Sequence, residues 1–167
     1  MKIASKVWLI SGALILSTAV LPLASSAQDD AKHEHHHDMT SRGDSATGFD
    51  AAKTSHHFLQ NLSGGTIEVT ANDPADTASR DAIQHHLKHV AQRFKEGDFE
   101  IPIFVHDQVP PGVPAMKRLK AEISYAYVGM DRGGRVEIST KNPEALTAIH
   151  EFLRFQIQEH HTGDKLQ

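Results

Sequence analysis

The chain has no cysteine among its 167 residues. That excludes a disulfide framework, a thiolate zinc site, iron–sulfur ligation and a cysteine nucleophile. It also has no excess of positive charge. Against 21 Asp and Glu it sets 17 Lys and Arg, for a formal net charge of −4, which argues against nucleic-acid affinity built on a basic face. Aromatic residues are scarce at 6%, and apolar residues at 39% suit one modest domain. The G-x-S-x-G, P-loop and Rossmann patterns are all missing. What the chain has in abundance is histidine, 13 in all.

The one long apolar run lies at the start. Lys2 and Lys6 precede an apolar stretch from Val7 to Leu23, and Ala24-Ser25-Ser26-Ala27 supplies small residues for cleavage. This is the pattern of a secretory signal over residues 1–27. Ser11, Gly12, Ser17, Thr18 and Pro22 weaken the alternative of an uncleaved membrane anchor. Cleavage would leave 140 residues and take the net charge from −4 to −6, because it removes two Lys and no acid. The expectation is an exported protein with no membrane attachment after cleavage, periplasmic if the source is Gram-negative and otherwise secreted.

Residues 28–55 have almost no apolar periodicity and are rich in Asp, Ser, Thr, Gly and Ala, so they are expected to form a disordered arm. It contains His33, Glu34, His35, His36 and His37. The H-E-x-x-H spelling there is no zinc-protease motif, since that motif needs a stable helix in a substrate cleft. Two readings remain: a flexible trap for Zn²⁺, Ni²⁺ or Cu²⁺, or a solvated linker.

From residue 56 to 164 a single domain is expected, and it contains a repeat. Gly64-Gly65-Thr66-Ile67-Glu68-Val69-Thr70 followed by Asn72-Asp73-Pro74 matches Gly133-Gly134-Arg135-Val136-Glu137-Ile138-Ser139 followed by Lys141-Asn142-Pro143. Beyond the prolines one copy is three residues shorter, and Ala82-Ile83 and Leu87-Lys88 then answer to Ala148-Ile149 and Leu153-Arg154. Each copy, about 56–96 and 122–161, reads as strand, Gly-Gly hairpin turn, strand, helix. The helices are expected from about Ala75 to Lys95 and from about Glu144 to His160, with a short strand inside 97–104 between the copies. The fold class is α+β: a two-layer sandwich with a four-stranded antiparallel sheet and two helices on one face.

Four histidines belong to the arm, and nine lie in or beside the domain. His86 and His89 are neighbours at i,i+3 on the first helix and occupy the positions of Phe152 and Phe155 in the second copy. His106 sits on a stiff loop before Pro110-Pro111-Gly112. The expected structured metal site is His86, His89 and His106, with His56, His150 and His160 as completing ligands. The simpler account makes them core and capping residues, His160 at a helix C-terminus above all. With only N and O donors the ion would be Zn²⁺, Cu²⁺ or Ni²⁺. Buried neutral His86 and His89 would make the fold or the site sensitive to acid.

Asp73-Pro74, Ile83-x-x-His86-Leu87, Gly97-Asp98-Phe99, Val105-His106, Pro111-Gly112, His150-x-Phe152 and Gln158-Glu159-His160 together resemble short exported bacterial proteins of unassigned function. Some of these carry the name aspartate carbamoyltransferase. The resemblance runs from Phe58 to Asp164 and implies export and a single domain. It implies no active site. Carbamoyltransferase activity is not expected, because the Ser-Thr-Arg-Thr-Arg phosphate motif is absent and 140 residues cannot hold two α/β domains.

The leading functional expectation is therefore an exported protein that buffers or delivers a divalent metal ion. The alternative is a small-ligand or protein-binding module without metal, using the sheet's open face, where Tyr125 or Tyr127 would serve a ligand, a partner or a homodimer. A His–metal enzyme comes third, since nothing in the spacing pairs a His with Asp98, Glu100, Asp107 or Glu151 for acid–base work.

Overall fold

A computed structural model of the chain describes residues 39–166. The expected export signal and the cluster His33, His35, His36 and His37 lie outside them. Strands β1 (Thr54–Asn61), β2 (Gly64–Ala71), β3 (Ile123–Met130) and β4 (Gly133–Thr140) form one antiparallel sheet in the order β1-β2-β4-β3. Helices α2 (Thr77–Glu96) and α5 (Pro143–Glu159) lie on one face of it. Each long helix crosses over: α2 packs chiefly on β4 and β3, and α5 on β1 and β2.

The duplication is visible in the register. β2 and β4 are the two central strands, and Ile67 pairs with Val136, its own counterpart in the repeat. Gly64 faces Ser139 while Gly133 faces Thr70, so a local two-fold axis passes through the Ile67–Val136 pair. The glycine pairs are not turn residues. The turns are Leu62-Ser63 and Asp131-Arg132, and the glycines open β2 and β4. Their role is close approach. A Cβ on Gly64 would stand 2.1 Å from the Ile138 carbonyl oxygen, and one on Gly133 would stand 2.1 Å from that of Val69.

Alternation sends Ile67, Val69, Val136 and Ile138 into the core, where they meet Ile83, Leu87, Ile149, Phe152 and Leu153. The same alternation turns Tyr125 and Tyr127 toward the helices, not onto the open face as expected. Tyr125 lies edge-on to Phe94, with ring centroids 5.8 Å apart. Thr66, Glu68, Arg135 and Glu137, which alternate with the core residues, occupy the opposite face, so that face is polar.

Asn142 caps α5, accepting from the N–H groups of Glu144 and Ala145, with Pro143 as the first helical residue. The first copy differs. Asp73-Pro74-Ala75 forms a separate turn, with Asp73 accepting from Ala75 N–H, and the cap of α2 is Asp76. This turn absorbs the three extra residues of that copy.

Three segments fill the space between the copies and before β1. Residues 99–106 carry helix α3 (Glu100–His106), not the expected strand. Gly97, at φ 80°, ends α2, and Asp98 accepts from Glu100 N–H to start the next turn. Pro102 is tolerated because it falls in the first turn. Helix α4 (Val113–Arg118) buries Val113 and Met116. The segment expected as the end of a disordered arm is ordered from residue 39: a helix, α1, occupies 39–47, and β1 begins at Thr54. Met39 and Phe49, both buried, anchor it, and Arg42 Nε donates to the Val105 carbonyl. Two well-placed apolar residues suffice here despite a polar composition. Among the described residues no helix is long and apolar enough to cross a membrane.

Candidate functional site

Between α2 and α5, over β1 and β2 and under α1 and α3, lies a cavity of about 550 Å³. Its walls are mainly apolar, with Met39, Phe58, Val69, Leu87, Val105 and Phe152 among them. Five histidines line it, His57 at the rim and four others deeper. His56 points inward because it shares a β1 face with Thr54, Phe58 and Gln60. His86 borders the apolar stripe of α2. His106 ends α3 and is fully buried, and His160 is the C-cap of α5.

The imidazoles pack as aromatic rings. His160 stacks on His56 at 5.9 Å between centroids, lies 5.3 Å from Phe58 and meets His106 edge-on at 5.1 Å. Phe49 packs against both His56 and His86, with ring centroids at 6.0 and 5.7 Å. His106 also packs edge-on against Phe155 at 4.8 Å. Its Nε2 lies 3.0 Å from Gln156 Oε1. Since an amide oxygen only accepts, the ring nitrogen is the donor in this pair.

Burial sets the charge state of two of these rings. It pushes His86 down to about 4, with the nearby His56, His89 and His85 acting in the same direction. It likewise pushes His56 down to about 4, helped by His57 and opposed by Asp44. Both are uncharged at neutral pH. At the rim, Asp164 ties the C-terminal segment to β1 by accepting from His57 Nδ1 and from Phe58 N–H. Burial raises that carboxyl, but hydrogen bonds from Phe58, His57 and Thr162 hold it below its ordinary range.

The expected metal centre is not built. Among the described residues no three His, Cys, Asp or Glu are grouped to hold an ion. His89 is exposed on α2. His150 is committed to the hairpin, its Nε2 lying 3.0 Å from both the Asn61 and the Gly64 carbonyl oxygens. His86, His56, His106 and His160 do line one cavity, but Phe49 packs on the first two, and the His56–His160 pair presents faces to one another. A ligating imidazole must aim a nitrogen lone pair at the ion along its ring plane. The expectations of a Zn²⁺, Cu²⁺ or Ni²⁺ cofactor, a metal-ion partner, a buffering or delivery role and a His–metal enzyme all fall on this geometry.

Two residues of the site escaped the sequence reading. Phe49 lay in a segment whose composition reads as disordered. Gln156 carried a detectable signal, for it sits on the α5 stripe of Ile149, Phe152 and Leu153, where an apolar residue belongs.

The repeat sharpens what is unusual here. Position by position, His56, His86, Gln156 and His160 answer to Tyr125, Phe152, Val90 and Phe94 in the other copy. Four polar or titratable residues face the cavity where the related half presents three aromatics and a valine. No protein-family model, curated protein or solved structure matches the chain.

Proposed function

We propose that this chain is a small-ligand-binding module that works without a metal, holding its ligand in the cavity between α2, α5, β1 and β2. The observation that carries this reading is the cavity itself. Its volume of about 550 Å³ falls within the range of pockets that enclose a drug-sized molecule, and its wall of apolar surface with a few convergent polar groups is the usual composition of such sites. The histidines then serve as polar, ring-shaped wall residues.

We also infer that the protein is exported, with residues 1–27 as the signal. Lys2 and Lys6, the apolar run and the small residues up to Ala27 support this, and the resemblance to short exported bacterial proteins points the same way.

The test is titration of the folded protein with the uncharged fluorophore N-phenyl-1-naphthylamine and, separately, with decanoate. Saturable binding with a Kd below ~100 μM and a rise in the thermal midpoint with ligand concentration are expected for at least one. Failure of both to bind would overturn the proposal.

A further inference from the structure

Within the cavity the side-chain amide of Gln156 keeps a donor that nothing among the described residues accepts from. Gln156 is 3% exposed. Its Oε1 is taken by His106 Nε2, and its Nε2, with two N–H donors, makes no hydrogen bond. A buried donor left unmade is unfavourable, and native proteins rarely keep one without a use for it. The fold does not need it, because the equivalent position of the other copy is Val90, an ordinary buried apolar residue.

The rest of the wall limits what can accept from that amide. Among the described residues no Lys or Arg lines the cavity, so an anion would find no fixed positive charge there. The one Asp among the lining residues, Asp44, already accepts from Ala51 N–H, and α1 carries it on the side of the covering segment. The neutral state of His56 and His86 agrees with an uncharged interior. Flat rings, namely His56, His160, Phe49 and Phe58, face or flank the space and offer stacking and edge-on contacts to another ring.

Resting on the cavity reading above, we infer that the ligand is an uncharged, flat aromatic molecule bearing a carbonyl oxygen, and that Gln156 is the residue that reads this oxygen by donating its amide N–H. His106 is a positioning residue: by occupying Oε1 it fixes which end of the amide faces the ligand. His56, His160 and Phe49 contribute the ring contacts.

The probe is 6-propionyl-2-dimethylaminonaphthalene, an uncharged naphthalene with one ketone, set against 2-dimethylaminonaphthalene, which lacks it, and against decanoate. The wild-type chain should bind the ketone about tenfold more tightly than the ketone-free compound, the effect of one neutral hydrogen bond. The emission of the bound ketone should lie to the red of its emission in toluene, as hydrogen bonding to the carbonyl requires. Gln156→Met, which keeps length and loses the amide, should abolish the preference between the two naphthalenes.

Equal wild-type affinities for the two naphthalenes, or a preference that survives Gln156→Met, would overturn this inference while the cavity reading stands. Binding of decanoate alone would overturn the uncharged aromatic class. Binding of none of the three would overturn the cavity reading as well. The wild-type comparison needs no variant, so a poorly folding Gln156→Met leaves the inference open to refutation.

Discussion

The two halves of the duplication meet the same sheet with opposite contents. Where β3 lies beneath α2, the rings of Tyr125, Phe94, Phe152 and Phe99 close on one another at 4.3 to 6.2 Å. Where β1 lies beneath α5, the His56–His160 stack at 5.9 Å occupies the place of the Tyr125–Phe94 contact at 5.8 Å, and an open cavity adjoins it. The paired strand and helix positions are equivalent, so at these positions the difference is one of side chains. Imidazoles and an amide stand on the cavity side, while the other side is closed by hydrocarbon rings packed on one another. One side is closed by packing and the other holds a cavity.

The comparison can be broken most severely at Phe152. Phe152→Ala should lower the unfolding free energy by about 3–5 kcal/mol, the usual loss for a fully buried aromatic. His86→Ala at the equivalent position should lower it by less than about 1.5 kcal/mol, because that ring is smaller and only half-buried. Guanidinium titration of the two variants checks this, and equal losses would mean the halves are not distinct.

Acid should act on the cavity half alone between pH 6.5 and 4. His56 and His86 have folded values near 4, below the 6.5 of the unfolded chain, so in this range the unfolded state binds more protons. Stability is present above pH 6.5 and declines as pH falls toward 4, by about 2 kcal/mol from each ring at pH 5. The lowered carboxyls of Asp76, Asp98 and Asp164 act only below their ordinary value of 3.8, outside this window. Unfolding free energies at pH 7 and pH 5 measure the slope. His56→Tyr with His86→Phe, which copies the packed half, should flatten it.

The smallest effect is expected at His89, whose counterpart Phe155 packs on His106. His89 is exposed, so His89→Ala should change stability by less than about 0.5 kcal/mol. A larger loss would show a partner on that face of α2.

Much of the fold was legible because it rests on local rules. Alternation marked the four strands, the stripe Ile83-Leu87-Val90-Phe94 marked α2, and Asn142-Pro143 marked the start of α5. The segment around α3 was misread because Ile101-Pro102-Ile103-Phe104-Val105 is a continuous apolar run, which periodicity cannot assign to strand or helix. The order from residue 39 was missed because Met39 and Phe49 gain their burial from α2, α3 and β1, all distant in sequence. The site was half legible. His56, His86, His106 and His160 were singled out and do converge, but His89 and His150 do not join them. The chemistry was misassigned, since abundance of imidazole says nothing about where its nitrogens point.

By itself the sequence determined the repeat, the strand and helix periods, the absence of thiol chemistry and the polar exceptions at apolar positions, because each is a property of neighbours along the chain. Only the tertiary structure decided that α2 and α5 cross over onto each other's hairpins, that Phe49 packs on both His56 and His86, and that Gln156 keeps a donor without a partner among the described residues. Those facts depend on directions and distances between elements, and side-chain direction is set by packing, not by composition.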